Sequence, residues 1–199
     1  MKPPNKPTKE HKEIFKILSE TFGGDPRVVN HGDEKEKSFI EIFSSVDTPQ
    51  KSITSYGTIG LFDYPLLKDG KEYDARVELV GACGSNFKNF DNILATAAFS
   101  VINSKWFCCP GAVFPDIVAM YKASKTLRHV LFVPPSSWDG STKLNKTIKL
   151  GEKKLTWLLV VPISEKEYRF VEKEGSDKLE NLFEEKQIDI FDLNRPSVV

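Results

Sequence analysis

Carboxylates are the side chains with the clearest chemical direction in this chain of 199 residues. They crowd its last thirty residues, where a smaller number of lysines only partly offsets them. Such a cluster is typical of a solvated helix face, and equally of a surface that docks a basic partner, such as the nucleic-acid-binding face of a nuclease. On the second interpretation, the candidate partner-binding residues are Asp177, Glu180, Glu184, Glu185, Asp189 and Asp192.

Two tryptophans are candidate anchors for the same partner. Trp106 precedes a Pro-Gly turn, and Trp138 begins a polar loop that extends over residues 138–149, with its turn at Asp139 and Gly140. Binding energy at protein interfaces is concentrated in Trp, Tyr and Arg, so both rings are expected to contact the partner. Trp157 lies inside an apolar run and is instead predicted to be core.

Nucleophilic and metal chemistry have less support. The three histidines are far apart in sequence, and none has the Cys or carboxylate spacing of a coordination sphere, so neither a metal nor another cofactor is predicted. Cys108 and Cys109 have no adjacent helix start or assignable partner histidine, which favours buried, unreactive thiols. Catalytic groups converge only in the fold, so an enzyme using Cys109, His129 and Asp116 stays open as an alternative.

Composition limits the class of partner. Lys plus Arg and Asp plus Glu both total 28, so no global field favours nucleic acid or an anionic membrane, and the expected partner is a protein. An odd number of cysteines, Cys83, Cys108 and Cys109, argues against a disulfide framework and for a reducing compartment. The start of the chain lacks an apolar stretch of signal-peptide length, which predicts a cytoplasmic protein. The oligomeric state stays open.

The elements that must position these groups are organised around a strand that leads into a helix. Residues 155–161 are an apolar run of strand length and predict an inner strand that is buried on both faces. Ser164 and Glu167 have the Ser-x-x-Glu spacing of a capping box, which predicts that a helix begins there. Hydrophobic residues in the acidic segment, Leu179, Leu182 and Phe183, predict a further short helix.

The remaining segments predict one α+β domain over residues 9–199 after a flexible arm at 1–8, with a mixed or mostly antiparallel sheet packed against helices. Residues 75–80 alternate as in a strand with one solvated face, because Arg76 and Glu78 oppose Val77 and Leu79. The other predicted elements are a helix at 9–22, a polar loop at 25–37, strands at 38–43 and 52–61, a helix at 87–103, a strand at 127–133 and an edge strand at 188–190.

The order of several motifs resembles the suppressor of fused domain family, particularly its small bacterial single-domain members. They are Ile-Gly-Leu-Phe-Asp at 59–63, Arg-Val-Glu-Leu at 76–79, Trp-Phe-Cys-Cys-Pro-Gly at 106–111, Leu-Phe-Val-Pro at 131–134, the junction at 161–168 and Asp-Ile-Phe-Asp-Leu-Asn-Arg at 189–195. The resemblance implies an α+β sandwich that binds proteins and has no catalytic centre. Eukaryotic members grip a transcription-factor peptide between two domains with an acidic residue after the turn glycine, where this chain has Ala112 after Gly111.

Some of these bacterial members are similar to antitoxins or immunity proteins for polymorphic toxins. The resemblance, the acidic cluster and the lack of a convincing catalytic constellation together predict a cytoplasmic immunity protein that neutralises a cognate protein toxin, such as a nuclease, by binding it. The alternatives are an intracellular regulatory scaffold with a non-toxin peptide or protein partner, and the enzyme described above.

Overall fold

An eight-stranded mixed sheet with helices against both faces organises the computed structural model, which describes residues 6–35, 37–138 and 143–199. The helices are α1 (Lys9–Phe22), α2 (Phe90–Ile102), α3 (Ile117–Met120), α4 (Glu165–Glu174) and α5 (Ser176–Glu185). The strands are β1 (Arg27–Gly32), β2 (Phe39–Val46), β3 (Ile53–Ile59), β4 (Leu67–Lys68), β5 (Lys71–Glu72), β6 (Ala75–Gly84), β7 (Val113–Phe114), β8 (Leu127–Val133), β9 (Ile148–Leu150) and β10 (Lys153–Ser164). The predicted α+β class is confirmed.

The sheet has the order β1-β2-β3-β6-β10-β8-β7, and β9 pairs with the start of β10. All pairs are antiparallel except β6 with β10, where Leu158 lies beside Leu79. Because β10 lies between β6 and β8 and helices cover both faces, its apolar run is buried on both sides, as predicted for an inner strand. The short strands β4 and β5 form a separate hairpin.

The two faces of the sheet have separate cores. Helices α2 and α3 pack on one face, where Leu94 lies in the same cluster as Leu158 of β10. Helices α1, α4 and α5 pack on the other face, where Leu18 lies in the same cluster as Trp157. Trp157 is fully buried, which confirms that it is core. The acidic helix α5 and the long helix α2 therefore lie on opposite faces of the sheet.

The solvated face predicted for the strand at 75–80 is wrong. Arg76 and Glu78 in β6 are both buried. The turn at Leu61–Asp63, which follows β3, covers Glu78, and the guanidinium of Arg76 reaches the Glu72 carboxylate at 2.7 Å. Charged residues therefore alternate with apolar ones here without marking a face exposed to water.

Two predictions at the margins of the sheet are also wrong. The segment at 25–37, predicted to be a loop, contains the edge strand β1, and most of its side chains are exposed or half-buried, so it reads as polar. Residues 188–190 form no strand, because Asp189 accepts a hydrogen bond from the Phe191 N–H and turns the chain there. The turn predicted at Asp139 and Gly140, and residues 1–5 of the predicted arm, lie outside the described residues.

Candidate partner-binding site

The capping box at the start of α4 is formed as predicted. The Glu167 carboxylate accepts from the Ser164 N–H at 2.7 Å, and the Ser164 hydroxyl accepts from the Glu167 N–H at 3.2 Å. Two orphan backbone donors at the helix start are thereby satisfied. The junction holds the start of α4 on the last strand of the core, and α5 follows after Gly175 alone.

The end of the chain is fixed to this junction by a buried ion pair. Arg195, only 3% exposed, places its Nη1 at 2.7 Å from Oε1 of Glu167 and donates from Nη2 to the carbonyl of Pro162 at 2.8 Å. The same carboxylate accepts from the Val198 N–H at 3.0 Å. The guanidinium also stacks over the Phe183 ring of α5, at 5.0 Å from its centroid. One network therefore joins β10, α4, α5 and the C-terminal segment.

The sequence does not predict this network, which holds α4 and α5 in place. Arg195 and Glu167 are 28 residues apart, and the sequence shows nothing that pairs them. One feature of the sequence could have indicated it, because Arg195 follows an apolar and acidic segment. An arginine that becomes buried there requires a partner of opposite charge.

Four of the predicted acidic residues lie on α5. Leu179 and Phe183 are buried and define the side of this helix that packs against the core. Asp177, Glu184 and Glu185 are exposed on α5, and Glu180 is half-buried. Burial raises the pKa of the Glu180 carboxyl, and the negative charges of Asp177 and Glu184 raise it further.

The structure therefore places these four carboxyl groups on one rigid helix, which we call the α5 acidic surface. Within the described part of the chain, none of the four forms an ion pair with a lysine or arginine. Their charge is thus available to an external cation.

Asp189 and Asp192 have a local structural task. Each carboxylate accepts a hydrogen bond from the backbone N–H two residues ahead, at 2.9 Å for Asp189 and 2.8 Å for Asp192. Such turns shape the segment that carries Arg195 to its buried site. These two residues extend the acidic region beyond α5 but are already engaged by the backbone.

The two candidate anchor tryptophans differ in exposure. Trp106 is 39% exposed and packs edge-on against Phe114, with ring centroids 4.9 Å apart. Its turn reaches α5 at Gly111, where a Cβ would lie 2.7 Å from the Ser176 hydroxyl oxygen, so a larger residue would not fit. The turn at Gly111 therefore lies against the start of α5, whereas Trp106 itself packs on Phe114, which belongs to the core cluster on the α2 face of the sheet.

Trp138 is not an exposed anchor, which corrects the expectation from sequence. It is 6% exposed, its Nε1–H donates to the Ser55 hydroxyl at 3.0 Å, and its ring centroid lies 4.9 Å from that of Phe22. A large ring next to a polar loop is typical of the surface, but Phe22 of α1 and Ser55 of β3 enclose this one.

The residues proposed for an enzyme do not form a catalytic relay. The His129 ring is 2% exposed, its Nδ1 accepts from the Asp116 N–H at 2.9 Å, and its Nε2 lies 3.0 Å from Oε2 of Glu165. Because Nδ1 accepts, Nε2 carries the proton and donates it to Glu165. The Asp116 carboxylate is itself paired with Arg128 at 2.7 Å.

Both ring nitrogens are therefore engaged, and neither is left to deprotonate a thiol. Burial also raises the pKa of the Cys109 thiol, although nearby Lys68 opposes this effect. A raised pKa is the reverse of what a cysteine nucleophile requires. Burial raises the pKa of Cys83 to about 12 as well, and that of the buried Cys108 thiol well above its usual range.

The part of the chain that the structure describes contains neither a cluster suited to a metal ion nor a membrane-spanning helix. There, no group of three or more His, Cys, Asp or Glu side chains has the arrangement needed to hold a metal ion. Across the same residues, no helix combines the length and apolar character needed to cross a membrane.

Comparison with known proteins gives a consistent family. The model of the family described as suppressor of fused protein (SUFU) matches residues 36–196. A curated relative, immunity protein YqcF of Bacillus subtilis strain 168, is 41% identical over 192 residues, which cover 96% of this chain and 98% of that protein.

Solved structures of similar fold are more distant in sequence. A SUFU homologue from Neisseria gonorrhoeae FA 1090 has a TM-score of 0.73 at 18% identity, covering 96% of this chain and 97% of that one. A chain of the Sufu-Fu complex has a TM-score of 0.68 at 14% identity, covering 97% and 93%. Drosophila Suppressor of Fused has a TM-score of 0.60 at 12% identity, and the match spans 94% of this chain but 50% of that one.

Proposed function

The chain belongs to the suppressor of fused family, and we propose that it is an immunity protein that neutralises a cognate protein toxin by binding it directly. The observation that carries the proposal is the 41% identity, over nearly the full length of both chains, to a protein named as an immunity protein. The family model spans residues 36–196, which include α4, α5 and Arg195.

The α5 acidic surface favours a partner that presents a basic surface. Within the described residues, these carboxylates have no cationic partner, and they lie on a helix that Leu179 and Phe183 anchor to the core. They therefore attract a cationic surface without first breaking internal ion pairs. A nuclease has such a surface where it binds nucleic acid, so we propose a nuclease toxin whose basic face contacts Asp177, Glu180, Glu184 and Glu185. Asp189 and Asp192 lie at the margin of this interface.

Trp106 is the proposed apolar anchor. It is partly exposed and precedes the turn whose Gly111 lies against the start of α5. A partly exposed aromatic ring can add apolar burial to an interface, and energetically important interface residues are commonly of this type.

Inhibition by occlusion needs no catalytic group in this chain. The His129, Asp116 and Glu165 contacts form a structural link between β8, α3 and α4, and the three cysteines are free. We place the protein in the cytoplasm, where thiols remain reduced and where a nuclease toxin would act.

Co-expression with the product of the adjacent gene tests the proposal. We expect the neighbour to stop growth when expressed alone, the pair to grow, and a stable complex to be recovered by affinity purification. A non-toxic neighbour that still forms a complex would instead support a regulatory scaffold. Toxicity that persists despite expression of this protein would overturn the immunity proposal.

A further inference from the structure

A groove runs between β1, at one edge of the sheet, and the outer side of α2. Two cavities of about 680 Å³ and 340 Å³ form it, and Asn92 lines both. The 13 residues of α2 extend over roughly 20 Å at 1.5 Å per residue. The groove is therefore long enough for about six residues in extended conformation.

The edge strand β1 offers backbone pairing along this groove. It pairs with β2 on one side, and within the described residues no strand pairs with its other side. An open edge presents N–H and C=O groups that an added strand can satisfy. Val29 of this strand lines the smaller cavity, so apolar surface is also available.

The groove has an apolar floor and also contains a buried polar atom that lacks a hydrogen-bond partner. Phe99 and Tyr121 line the larger cavity, and Tyr56 lines the smaller one. The Nε2 atom of His31 is buried and has no hydrogen-bond partner, although Oδ2 of Asp91 lies 3.5 Å away. A buried polar atom of this kind gains from a ligand that brings a hydrogen-bonding group.

Cations flank the groove at both ends. They are Arg27 and Lys88 beside the smaller cavity, and Lys35, Lys37 and Lys105 beside the larger one.

Two of the three carboxylates lining the cavities are already engaged within the chain. Asp33 accepts from the Lys37 N–H at 2.8 Å and from the Asn103 amide at 3.0 Å, and Asp91 faces His31. Glu34 is the third. Five cations and three carboxylates line the two cavities, so the groove presents a net positive charge to an occupant.

We propose that this groove binds an extended acidic segment of a partner protein, which adds to β1 as a strand. Its backbone pairs with the open edge, its apolar side chains enter the cavities, and its carboxylates meet the lysines and arginine at the two ends. The site goes beyond toxin binding at the α5 acidic surface, because α2 and α5 lie on opposite faces of the sheet.

A synthetic peptide tests the inference directly. The probe is a fluorescein-labelled nine-residue peptide of alternating Glu and Val, compared with an alternating Lys and Val peptide by fluorescence anisotropy. We expect the acidic probe to bind at least about tenfold more tightly than the basic one, since like charges across an interface repel. Hydrogen exchange at the amides of residues 28–31 should slow when the acidic probe is bound.

Charge-reversed variants locate the binding. Arg27→Glu with Lys88→Glu, and separately Lys35→Glu with Lys37→Glu, are each expected to weaken the acidic probe by about tenfold. Asn92→Trp should obstruct the junction of the two cavities and also weaken it. Lys166→Glu with Lys173→Glu, which reverses two exposed lysines of α4, is the matched control and should leave the probe's affinity unchanged.

Equal binding of both probes, or unchanged exchange at β1, would overturn the inference. So would a single-stranded oligonucleotide that binds the groove more tightly than the acidic peptide. Thermal melting of each variant separates loss of the site from loss of the fold. The groove variants should still neutralise the toxin, so failure of this site and failure of the immunity proposal give different results.

Discussion

Glu78 is a fully buried carboxyl whose hydrogen bonds come from neutral donors. Its Oε1 accepts from the N–H groups of Gly60 and Phe62 at 2.9 Å and 3.0 Å, and its other oxygen accepts from the Thr58 hydroxyl. Burial raises the pKa of Glu78 to about 7, against an ordinary value of 4.5. The stability that the protonated form provides is therefore complete below pH 4.5 and is lost as the pH rises through 7.

Glu78→Gln should remove this pH dependence and preserve the fold. The amide oxygen can still accept from both backbone N–H groups, and the amide nitrogen can donate to the Thr58 hydroxyl oxygen. We expect wild type to lose on the order of 3 kcal/mol of unfolding free energy between pH 5 and 8 through this group. Urea denaturation at the two pH values measures the loss.

The exposed Glu152→Gln variant is the control for that experiment and should retain the wild-type pH dependence of Glu78. A loss in the Glu78→Gln variant equal to that of wild type would show that Glu78 does not titrate with a raised pKa.

Arg195→Met should destabilise the protein by about 3–5 kcal/mol, because it leaves the buried Glu167 carboxylate without its cation. Methionine keeps the aliphatic part of the side chain, but the guanidinium contacts with Phe183 and Pro162 are lost together with the charge. Arg169→Met removes an exposed arginine of α4, the helix that carries Glu167, and should cost no more than about 1 kcal/mol of unfolding free energy. Equal unfolding free energies for the two variants would contradict the anchoring role of Arg195.

Substitutions of the two tryptophans should affect different properties of the protein, its stability for Trp138 and its toxin binding for Trp106. Trp138→Ala empties a core position and should cost about 3–5 kcal/mol of unfolding free energy. Trp106→Ala removes a partly exposed ring and should weaken toxin binding with a smaller cost in stability. The contrary result would be a Trp106→Ala variant that binds the toxin as tightly as wild type does.

At the scale of elements, local signals succeeded where they agreed with the tertiary structure. The strand predicted at 127–133 coincides with β8, and the capping box at Ser164 and Glu167 begins α4 as expected. The helix predicted at 87–103 is three residues longer at its start than α2, because Asn89 adopts a left-handed conformation just before the helix. In each case the residue types indicated the element without reference to its neighbours.

Local signals failed where the environment of an element came from distant residues. The Arg76 and Glu78 side chains look solvent-facing in sequence, but a turn after β3 and the hairpin of β4 and β5 supply their partners. The edge strand β1 has little burial, so no apolar periodicity marked it. Conversely, residues 188–190 alternate as a strand does but turn around Asp189.

The candidate site was predictable only in part for the same reason. The acidic composition of residues 177–185 and their helix could be read from the sequence, because leucines and a phenylalanine at helical spacing mark the buried side. The ion pair that fixes the end of the chain, the enclosure of Trp138 and the occupied nitrogens of His129 depend on contacts between segments far apart in sequence.

At the scale of the whole molecule, a formal net charge of zero conceals an uneven distribution. The α5 acidic surface lies on one face of the sheet, and the cation-flanked groove lies along α2 on the other. Partners of opposite charge could therefore occupy the two sites without competing. Because the acidic and the basic surfaces are separated, a chain with zero net charge can attract cations at one face and anions at the other.

The affinity of the purified toxin for a charge-reversed α5 acidic surface tests the central claim most directly. Glu184→Lys with Glu185→Lys is compared by titration calorimetry with wild type and with a matched reversal on exposed residues elsewhere, Glu20→Lys with Asp25→Lys. We predict that the α5 variant binds at least about tenfold more weakly, with an unchanged melting temperature, and that higher salt narrows the difference. Equal affinities for all three proteins would contradict toxin recognition by this surface.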